Sequence, residues 1–233
     1  MEISKRLSRM TSLLPCGEVA ADIGCDHAYA AIRLIEIGKY KKVIASDVRK
    51  GPLESARKNI AMHGLTEQIE TRLYDGLQGL APGEADGILI GGMGGATMRM
   101  ILEAGQEVVR KAKNLLLQPQ SELSAFRKYL RENGCQVVEE DIVYEDGKYY
   151  PMMLVFPGME KDFTEQPVFD AFGKLLLEKK HPVLKEYLLQ QISVKEKIIE
   201  RLQKADANER IQRQLAETKR DLRYIQEAMD FYK

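Results

Sequence analysis

The chain has 233 residues, 44% hydrophobic and 30% charged, and its 35 basic side chains balance 35 acidic ones. This length suits one α/β domain with a smaller appendage; there is no apolar run of transmembrane length and no secretory leader, so we expect a cytoplasmic protein without a membrane segment. The scattered cysteines argue against a zinc site or a disulfide framework, and the zero net charge means that any nucleic-acid contact needs local basic patches.

The first part of the chain alternates predicted helices with short apolar strands. An amphipathic helix over residues 3–14 comes first, and its Arg6 and Arg9 belong either to a solvated face or to a basic entrance of an active site. The patterns then predict, in order, strand 19–23, helix 28–37, strand 42–46, a helix opened by Pro52 and closed by His63, strands 69–73 and 87–90, a helix from Ala96, strand 115–117, and a helix capped by Ser121 and ending at Asn133.

A hairpin follows these parallel-type elements. Residues 135–144 and 148–156 flank Asp146-Gly147, a dipeptide typical of tight hairpin turns. Five strands joined by helices and then an antiparallel pair match the class I methyltransferase sheet, in which the last strand inserts antiparallel. A dinucleotide-binding sheet would continue parallel. We therefore predict a Rossmann-like α/β methyltransferase domain over residues 1–158.

The rest of the chain, residues 159–233, reads as helical. Two apolar series recur at near-heptad spacing, and in the second the steps alternate between four and three. Asp206 and Glu209 have the spacing of a capping box between them. We predict an antiparallel coiled-coil hairpin; one long helix that dimerises with a partner chain is the alternative, and we favour a monomer. The series are Leu184, Leu188, Ile192, Ile199 and Leu202, and Ile211, Leu215, Thr218, Leu222, Ile225 and Met229.

Three carboxylates follow three successive predicted strands, namely Asp22, Asp47 and Asp75. Asp47 follows Asp22 at close to the spacing at which a carboxylate binds the ribose hydroxyls of a nucleotide cofactor. Asp75 follows the next strand, where an adenine amino group would lie. The first loop has the single glycine Gly24, and the carboxylate of Asp26 would repel a pyrophosphate. This acidic loop suits the cationic centres of S-adenosylmethionine, which we favour over NAD.

A glycine-rich loop, 91–95, directly follows the fourth strand, and such loops allow close approach of the backbone to a ligand. The Asp/Asn-Pro-Pro-Tyr motif of enzymes that methylate exocyclic amines is missing here. An acceptor ring nitrogen such as adenine N1 has a free lone pair, so alignment with the methyl donor would do most of the catalytic work. A carboxylate or His27 could assist the later loss of a proton, although a lone histidine often has a structural role.

Together these motifs identify a family. Ala21-Asp22-Ile23-Gly24-x-Asp26-His27-Ala28-Tyr29 and Gly91-x-Met93-Gly94-Gly95 resemble the bacterial TrmK-like tRNA (adenine-N1)-methyltransferases, and so do Ser4-x-Arg6-Leu7, Ser46-Asp47-Val48, Tyr74-Asp75-Gly76, Leu117-Gln118-Pro119-Gln120 and Glu145-Asp146-Gly147-Lys148-Tyr149-Tyr150. The resemblance spans almost the whole chain. Departures such as Cys25 and Ala30-Ala31 are exchanges of small residues.

The resemblance implies methylation of N1 of adenine 22 in tRNA with S-adenosylmethionine as cofactor, and it assigns roles by position. Asp26, His27 and Tyr29 would face the incoming base as catalytic residues, and Arg6 and Arg9 are candidates for binding the tRNA substrate. The cofactor would contact Asp22, Gly24, Asp47, Val48, Asp75, Gly76, Gly91, Gly92 and Met93.

Two other functions are compatible with the motifs. The chain could methylate a small molecule or a protein, with the coiled coil as a dimerisation element. It could also be a non-catalytic cofactor-binding module whose helical tail recruits a partner.

Overall fold

The computed structural model describes residues 3–204 and 208–233. The chain divides into two compact units, Met1–Phe163 and Thr164–Lys233. Within the described residues, no helix is both long and apolar enough to cross a membrane.

The first unit consists of one sheet and the helices that cover it. Its strands are β1 (Val19–Ile23), β2 (Lys42–Asp47), β3 (Ile69–Leu73), β4 (Gly87–Met93), β5 (Asn114–Pro119), β6 (Gln136–Glu145) and β7 (Lys148–Phe156). Its helices are α1 (Lys5–Leu13), α2 (Tyr29–Glu36), α3 (Lys50–Met62), α4 (Gly95–Ala104), α5 (Gln106–Lys111) and α6 (Leu123–Glu132), with a 3-10 turn at Gly76–Gly79.

The sheet has the order β3-β2-β1-β4-β5-β7-β6. The first five of these strands pair in parallel, and β7 inserts antiparallel between β5 and β6. This confirms the predicted class I methyltransferase sheet. Because the strand order reverses at β1 and β4, the carboxyl ends of these two strands flank the crevice where ligands bind in open α/β sheets.

A hydrophobic layer lies on each face of the sheet. Met10 of α1, Ile32 of α2 and Leu53 of α3 are buried against one face. Met98 of α4 and Phe126 of α6 are buried against the other. Along β7, Met152 and Leu154 belong to the first layer and Met153 and Val155 to the second, as the alternation of a strand requires.

Two helix boundaries differ from the sequence prediction. Ser121 does not cap α6, whose cap position is Glu122 in a left-handed conformation (φ +54°). The backbone carbonyl of Ser121 instead accepts a hydrogen bond from Gly95 N at 3.2 Å, and the Glu122 carboxylate accepts one from Ala96 N at 2.9 Å. The segment therefore caps α4. The helix predicted from Ala96 also breaks at Gly105, where a Cβ would lie 2.4 Å from Leu77 Cβ.

The second unit contains α7 (Pro167–Phe172), α8 (Lys174–Glu178), α9 (Pro182–Gln203) and α10 (Glu209–Asp230). Two contacts show that α9 and α10 run antiparallel: Lys195 Nζ donates to Asp221 Oδ2 at 2.7 Å, and Tyr232 Oη donates to the carbonyl of His181 at 2.9 Å. Because α9 ends at Gln203 and a separate α10 follows, the chain does not form the single long helix considered as the alternative.

The N-terminal cap of α10 is a different residue from the one predicted. Asp206 lies outside the described residues, and Asn208 caps α10 by accepting from Ile211 N at 2.9 Å. All residues of the two predicted apolar series are at least partly buried, and Leu184, Leu188, Leu202, Thr218 and Ile225 are fully buried. Their packing as a coiled coil stays a prediction.

Candidate active site

A cleft of about 510 Å³ opens at the carboxyl edge of the sheet, over the ends of β1, β2 and β4. It is lined by side chains from the first loop, from the ends of β2 and β3, from the glycine-rich loop and from α1. The lining residues that the sequence had also selected are Arg6, Asp22, Gly24, Asp26, His27, Tyr29, Asp47, Val48, Asp75, Gly76, Gly91, Gly92 and Met93.

The loop after β1 is fixed by β2 and by the glycine-rich loop. The amides of Gly24 and Cys25 donate to the carbonyl of Ser46 at 2.8 and 2.9 Å. Gly24 has φ +71°, and a Cβ there would lie 2.1 Å from the Met93 methyl carbon. The left-handed backbone favours glycine at this position, and a side chain here would also have to displace the methyl group of Met93.

The next residues adopt strained backbone conformations. Asp26 and Ala28 have φ values of +48° and +59°, in the left-handed region that costs non-glycine residues free energy and is enriched at functional sites. The carbonyl of His27 accepts from Asn59 Nδ2 at 3.0 Å, so α3 supports this turn from outside the cleft. Asn59 was not recognised from the sequence, since nothing in a helical pattern marks such a contact.

This strained turn presents three polar side chains together. His27 Nε2 lies 3.8 Å from Asp26 Oδ2, and the His27 and Tyr29 rings stack with centroids 5.5 Å apart. All three side chains line the cleft, and Tyr29 and the side chains of Asp26 and His27 are substantially exposed there. The sequence prediction that they form one edge of the cleft therefore agrees with their placement, while their catalytic roles stay predictions.

Two buried carboxylates lie at the floor of the cleft. Asp22 and Asp47 are 3% and 4% exposed. Burial and the nearby charge of Asp47 raise the pKa of Asp22 to about 7, although a hydrogen bond from Ala31 N lowers it. Asp47 accepts from Arg49 N at 2.9 Å on one oxygen and from Asp26 N at 3.3 Å on the other. A carboxylate has about four acceptor sites, so capacity remains for two hydroxyl groups of a ligand.

The same acidic surroundings suppress the reactivity of the nearby thiol. Burial raises the pKa of Cys25 well above its usual range, and the charges of Asp22, Asp47 and Asp26 raise it further. Cys25 is therefore a small apolar wall residue and not a nucleophile.

The third acidic position is more open. Asp75 lies on the rim of the cleft, at the start of the 3-10 turn. Its neighbour Tyr74 is exposed, and so is Val48, which follows the end of β2. Tyr74 N donates to the carbonyl of Asp47 at 3.2 Å, which joins the ends of β2 and β3. Tyr74 and Arg49 both line the cleft and were missed, although each adjoins a residue that the sequence had selected.

The glycine-rich loop serves several purposes. A Cβ on Gly91 would lie 2.3 Å from the Met10 methyl carbon, and one on Gly95 would lie 2.6 Å from the Ser121 carbonyl oxygen, so both glycines permit close packing. Gly92 has φ +79°, and its amide donates to Gln118 Oε1 at 3.2 Å. Only Gly91 and Gly92 of the four glycines line the cleft.

Gln118 also holds the arginine of α1. Arg6 Nη1 donates to Gln118 Oε1 at 3.0 Å, and the Arg6 guanidinium lies 5.4 Å from the centroid of the Tyr150 ring. Gln118 is completely buried, and its Nε2 donates to the carbonyl of Pro119 at 3.3 Å. The sequence showed Gln118 only as part of a motif, because a buried bridging role leaves no spacing signal.

Arg9 does not line the cleft, although the sequence grouped it with Arg6. Its guanidinium is hydrogen-bonded to Asp141 on β6 and lies 4.0 Å from Glu139. The placement favours a role in fixing α1 to the sheet.

Comparison with known proteins agrees with this geometry. The family model described as TrmK, tRNA (adenine(22)-N(1))-methyltransferase, matches residues 20–227. The tRNA (adenine(22)-N(1))-methyltransferase of Bacillus subtilis is 32% identical over 234 residues, covering 99% of this chain and 98% of that protein.

Solved structures are similar over the whole chain. A putative tRNA (m1A22) methyltransferase of Streptococcus pneumoniae, in complex with S-adenosyl-L-methionine, has a TM-score of 0.82 at 32% identity and covers 98% of this chain and 100% of that one. TrmK of M. capricolum, in complex with S-adenosyl-homocysteine, has a TM-score of 0.86 at 27% identity, with 100% of each chain covered.

Proposed function

The chain belongs to the TrmK family of tRNA (adenine(22)-N(1))-methyltransferases, and we propose that its cleft aligns S-adenosylmethionine with N1 of adenine 22 in tRNA. One observation carries this proposal: the strained Asp26–His27–Tyr29 edge and the buried Asp22–Asp47 floor line the same cleft. Family membership favours tRNA over a small-molecule or protein acceptor and favours an enzyme over a non-catalytic module.

The residues on the floor fit the cofactor. Burial raises the pKa of Asp22 to about 7, and none of the causes found among the described residues is a cation; the ammonium or sulfonium group of the cofactor would therefore stabilise its ionised form. Asp47 has acceptor sites left for the ribose hydroxyls, and Asp75 lies on the rim where an adenine amino group can donate to it. Gly24, Gly76, Gly91, Gly92, Met93 and Val48 complete this side of the cleft.

The bound cofactor supplies an electrophilic methyl group. Because adenine N1 has a free lone pair, this chain does not have to deprotonate the base before transfer. The residues instead have to orient the base and exclude water. Tyr29 and His27, which stack on each other, offer an aromatic surface for the base, and Arg6 bounds the cleft on the other side.

Transfer breaks the bond between sulfur and the methyl carbon, forms the bond to N1 and leaves the positive charge on the adenine ring. The Asp26 carboxylate, 3.8 Å from His27 Nε2, lies on the edge of the cleft and can stabilise this charge.

The proposal is tested by incubating the protein with S-adenosylmethionine and tRNA transcripts that carry either A22 or G22. We expect 1-methyladenosine to form only in the A22 transcript, at one residue per molecule. Methylation of both transcripts, or of neither by a protein that still binds the cofactor, would overturn the assignment.

We also propose that the enzyme acts in the cytoplasm as a monomer. The helices α9 and α10 pair with each other within one chain, where Lys195 Nζ donates to Asp221 Oδ2, so their pairing does not need a partner chain. Light scattering of the protein alone and with tRNA measures the stoichiometry directly, and a dimer would contradict this part of the proposal.

A further inference from the structure

The tip of the β6–β7 hairpin extends past the carboxyl edge of the sheet. Leu117 of β5 pairs with Met153 of β7. Since the two strands are antiparallel, Pro119, the last residue of β5, lies level with Pro151, and Lys148–Tyr150 lies beyond the end of β5. The tip therefore lies on the edge where the cleft opens, on the side of β4 and β5.

The tip carries an aromatic pair. Tyr144 and Tyr149 are cross-strand partners, and their ring centroids are 4.7 Å apart with a tilt of 44°. Tyr144 is 48% exposed. An aromatic pair of this kind has a fixed orientation at little entropic cost and still presents a π-face to solvent.

The tip is fixed to the wall of the cleft. The Glu145 carboxylate accepts from the amides of Lys5 and Arg6 at 2.6 and 3.2 Å, at the start of α1. Arg6 lines the cleft and its guanidinium lies over Tyr150, on the opposite face of β7 from Tyr149. The aromatic pair therefore belongs to the same rigid piece of structure as a residue of the cleft.

From these contacts we infer that Tyr144 and Tyr149 form a stacking surface for a nucleobase of the tRNA next to the target adenine. An enzyme that reaches N1 of a base has to take that base out of its stack, which leaves its neighbours with an uncovered face. Proteins that bind unstacked bases commonly stack them on aromatic side chains. This inference rests on tRNA being the substrate.

The chain contains no tryptophan, so a single substitution provides a specific reporter. We expect the fluorescence of Tyr144→Trp to be quenched on addition of tRNA, because stacked nucleobases quench indole. Phe156 is a matched control, since it is an aromatic residue 40% exposed at the opposite end of β7. Phe156→Trp is expected to show no quenching.

Kinetics supply the second readout. We expect Tyr144→Leu and Tyr149→Leu to raise the KM for tRNA about 5- to 50-fold, with little change in kcat or in cofactor affinity, and Phe156→Leu to leave all three unchanged. Unquenched Tyr144→Trp fluorescence at saturating tRNA, or an unchanged KM in Tyr144→Leu, would overturn the inference. Failure of the wild-type protein to methylate A22 would instead contradict the proposed function.

Discussion

Arg6 Nη1 donates to Gln118 Oε1 at 3.0 Å, and the same oxygen accepts the amide of Gly92 at 3.2 Å. One buried carboxamide therefore fixes the position of an α1 side chain relative to the glycine-rich loop. Arg6 and Gly92 both line the cleft, so the distance between them depends on Gln118, a buried residue that does not line it.

Removal of this acceptor should impair the enzyme through positioning. We expect Gln118→Met, which fills the same volume without a comparable oxygen, to lower kcat/KM for tRNA about tenfold, because an unsatisfied buried donor costs about 1–3 kcal/mol. Gln118→Glu keeps an acceptor for both donors and should recover part of the loss. Asn114→Leu, at the opposite end of β5, is the control. Equal losses in Gln118→Met and Gln118→Glu would argue against this role.

Cofactor affinity should depend on pH through Asp22. The raised pKa, about 7, means that this carboxyl is largely neutral below pH 7 in the cofactor-free enzyme, so a cationic ligand must displace a proton. We expect the dissociation constant of S-adenosylmethionine to rise about tenfold between pH 8 and pH 6. Calorimetry over this range measures it. Asp22→Asn should bind more weakly and show a flat profile, and a steep profile in that variant would assign the proton elsewhere.

The same group should destabilise the cofactor-free protein at high pH. The pKa of the Asp22 carboxyl is higher in the folded protein than in the unfolded chain, so the folded state favours the neutral form. The stability that this preference contributes is complete below about pH 4 and is lost as the pH rises through 7. We expect Asp22→Asn to increase the free energy of unfolding at pH 8 by up to about 4 kcal/mol and to have a smaller effect at pH 5. Urea unfolding at both values checks this, and a variant less stable at pH 8 would contradict it.

Gly24→Ala should weaken cofactor binding, since the residue has φ +71° and its new methyl would lie 2.1 Å from the Met93 methyl carbon. The backbone strain alone costs about 1–2 kcal/mol. Adding Met93→Ala removes the clash and leaves the strain, so the double variant should recover only part of the affinity. Full recovery would show that the clash with Met93, and not the backbone, excludes a side chain there.

His27→Gln should separate catalysis from binding. We expect kcat to fall about 10- to 100-fold while the dissociation constant of S-adenosylmethionine stays within twofold, because His27 lies on the exposed edge of the cleft and not on its floor. Single-turnover methylation together with calorimetry distinguishes the two effects. Equal losses in kcat and in affinity for S-adenosylmethionine would show that His27 contributes to cofactor binding.

The sequence predicted the sheet well because its signals are local. Apolar runs ending at Asp22 and Asp47 mark strand ends, and Asp146-Gly147 marks a hairpin that could only add antiparallel strands. Ser121 was wrong as a cap because its carbonyl is used by Gly95, a residue of another helix. Gln118 and Asn59 could not be recognised, since each acts through a contact across elements that no local pattern encodes.

The anchoring of α1 has a consequence for biosynthesis. Lys5, Arg6 and Arg9 bind to Glu145 and Asp141, which follow them by 132 to 140 residues. Because α1 precedes the β6–β7 hairpin in the chain, it cannot make these contacts until the hairpin has been synthesised. Contacts this distant in sequence also slow folding, because closing a long loop costs conformational entropy. A growing chain therefore contains Asp22 and Asp47 of the cleft floor well before it contains Glu145, to which α1 is bound.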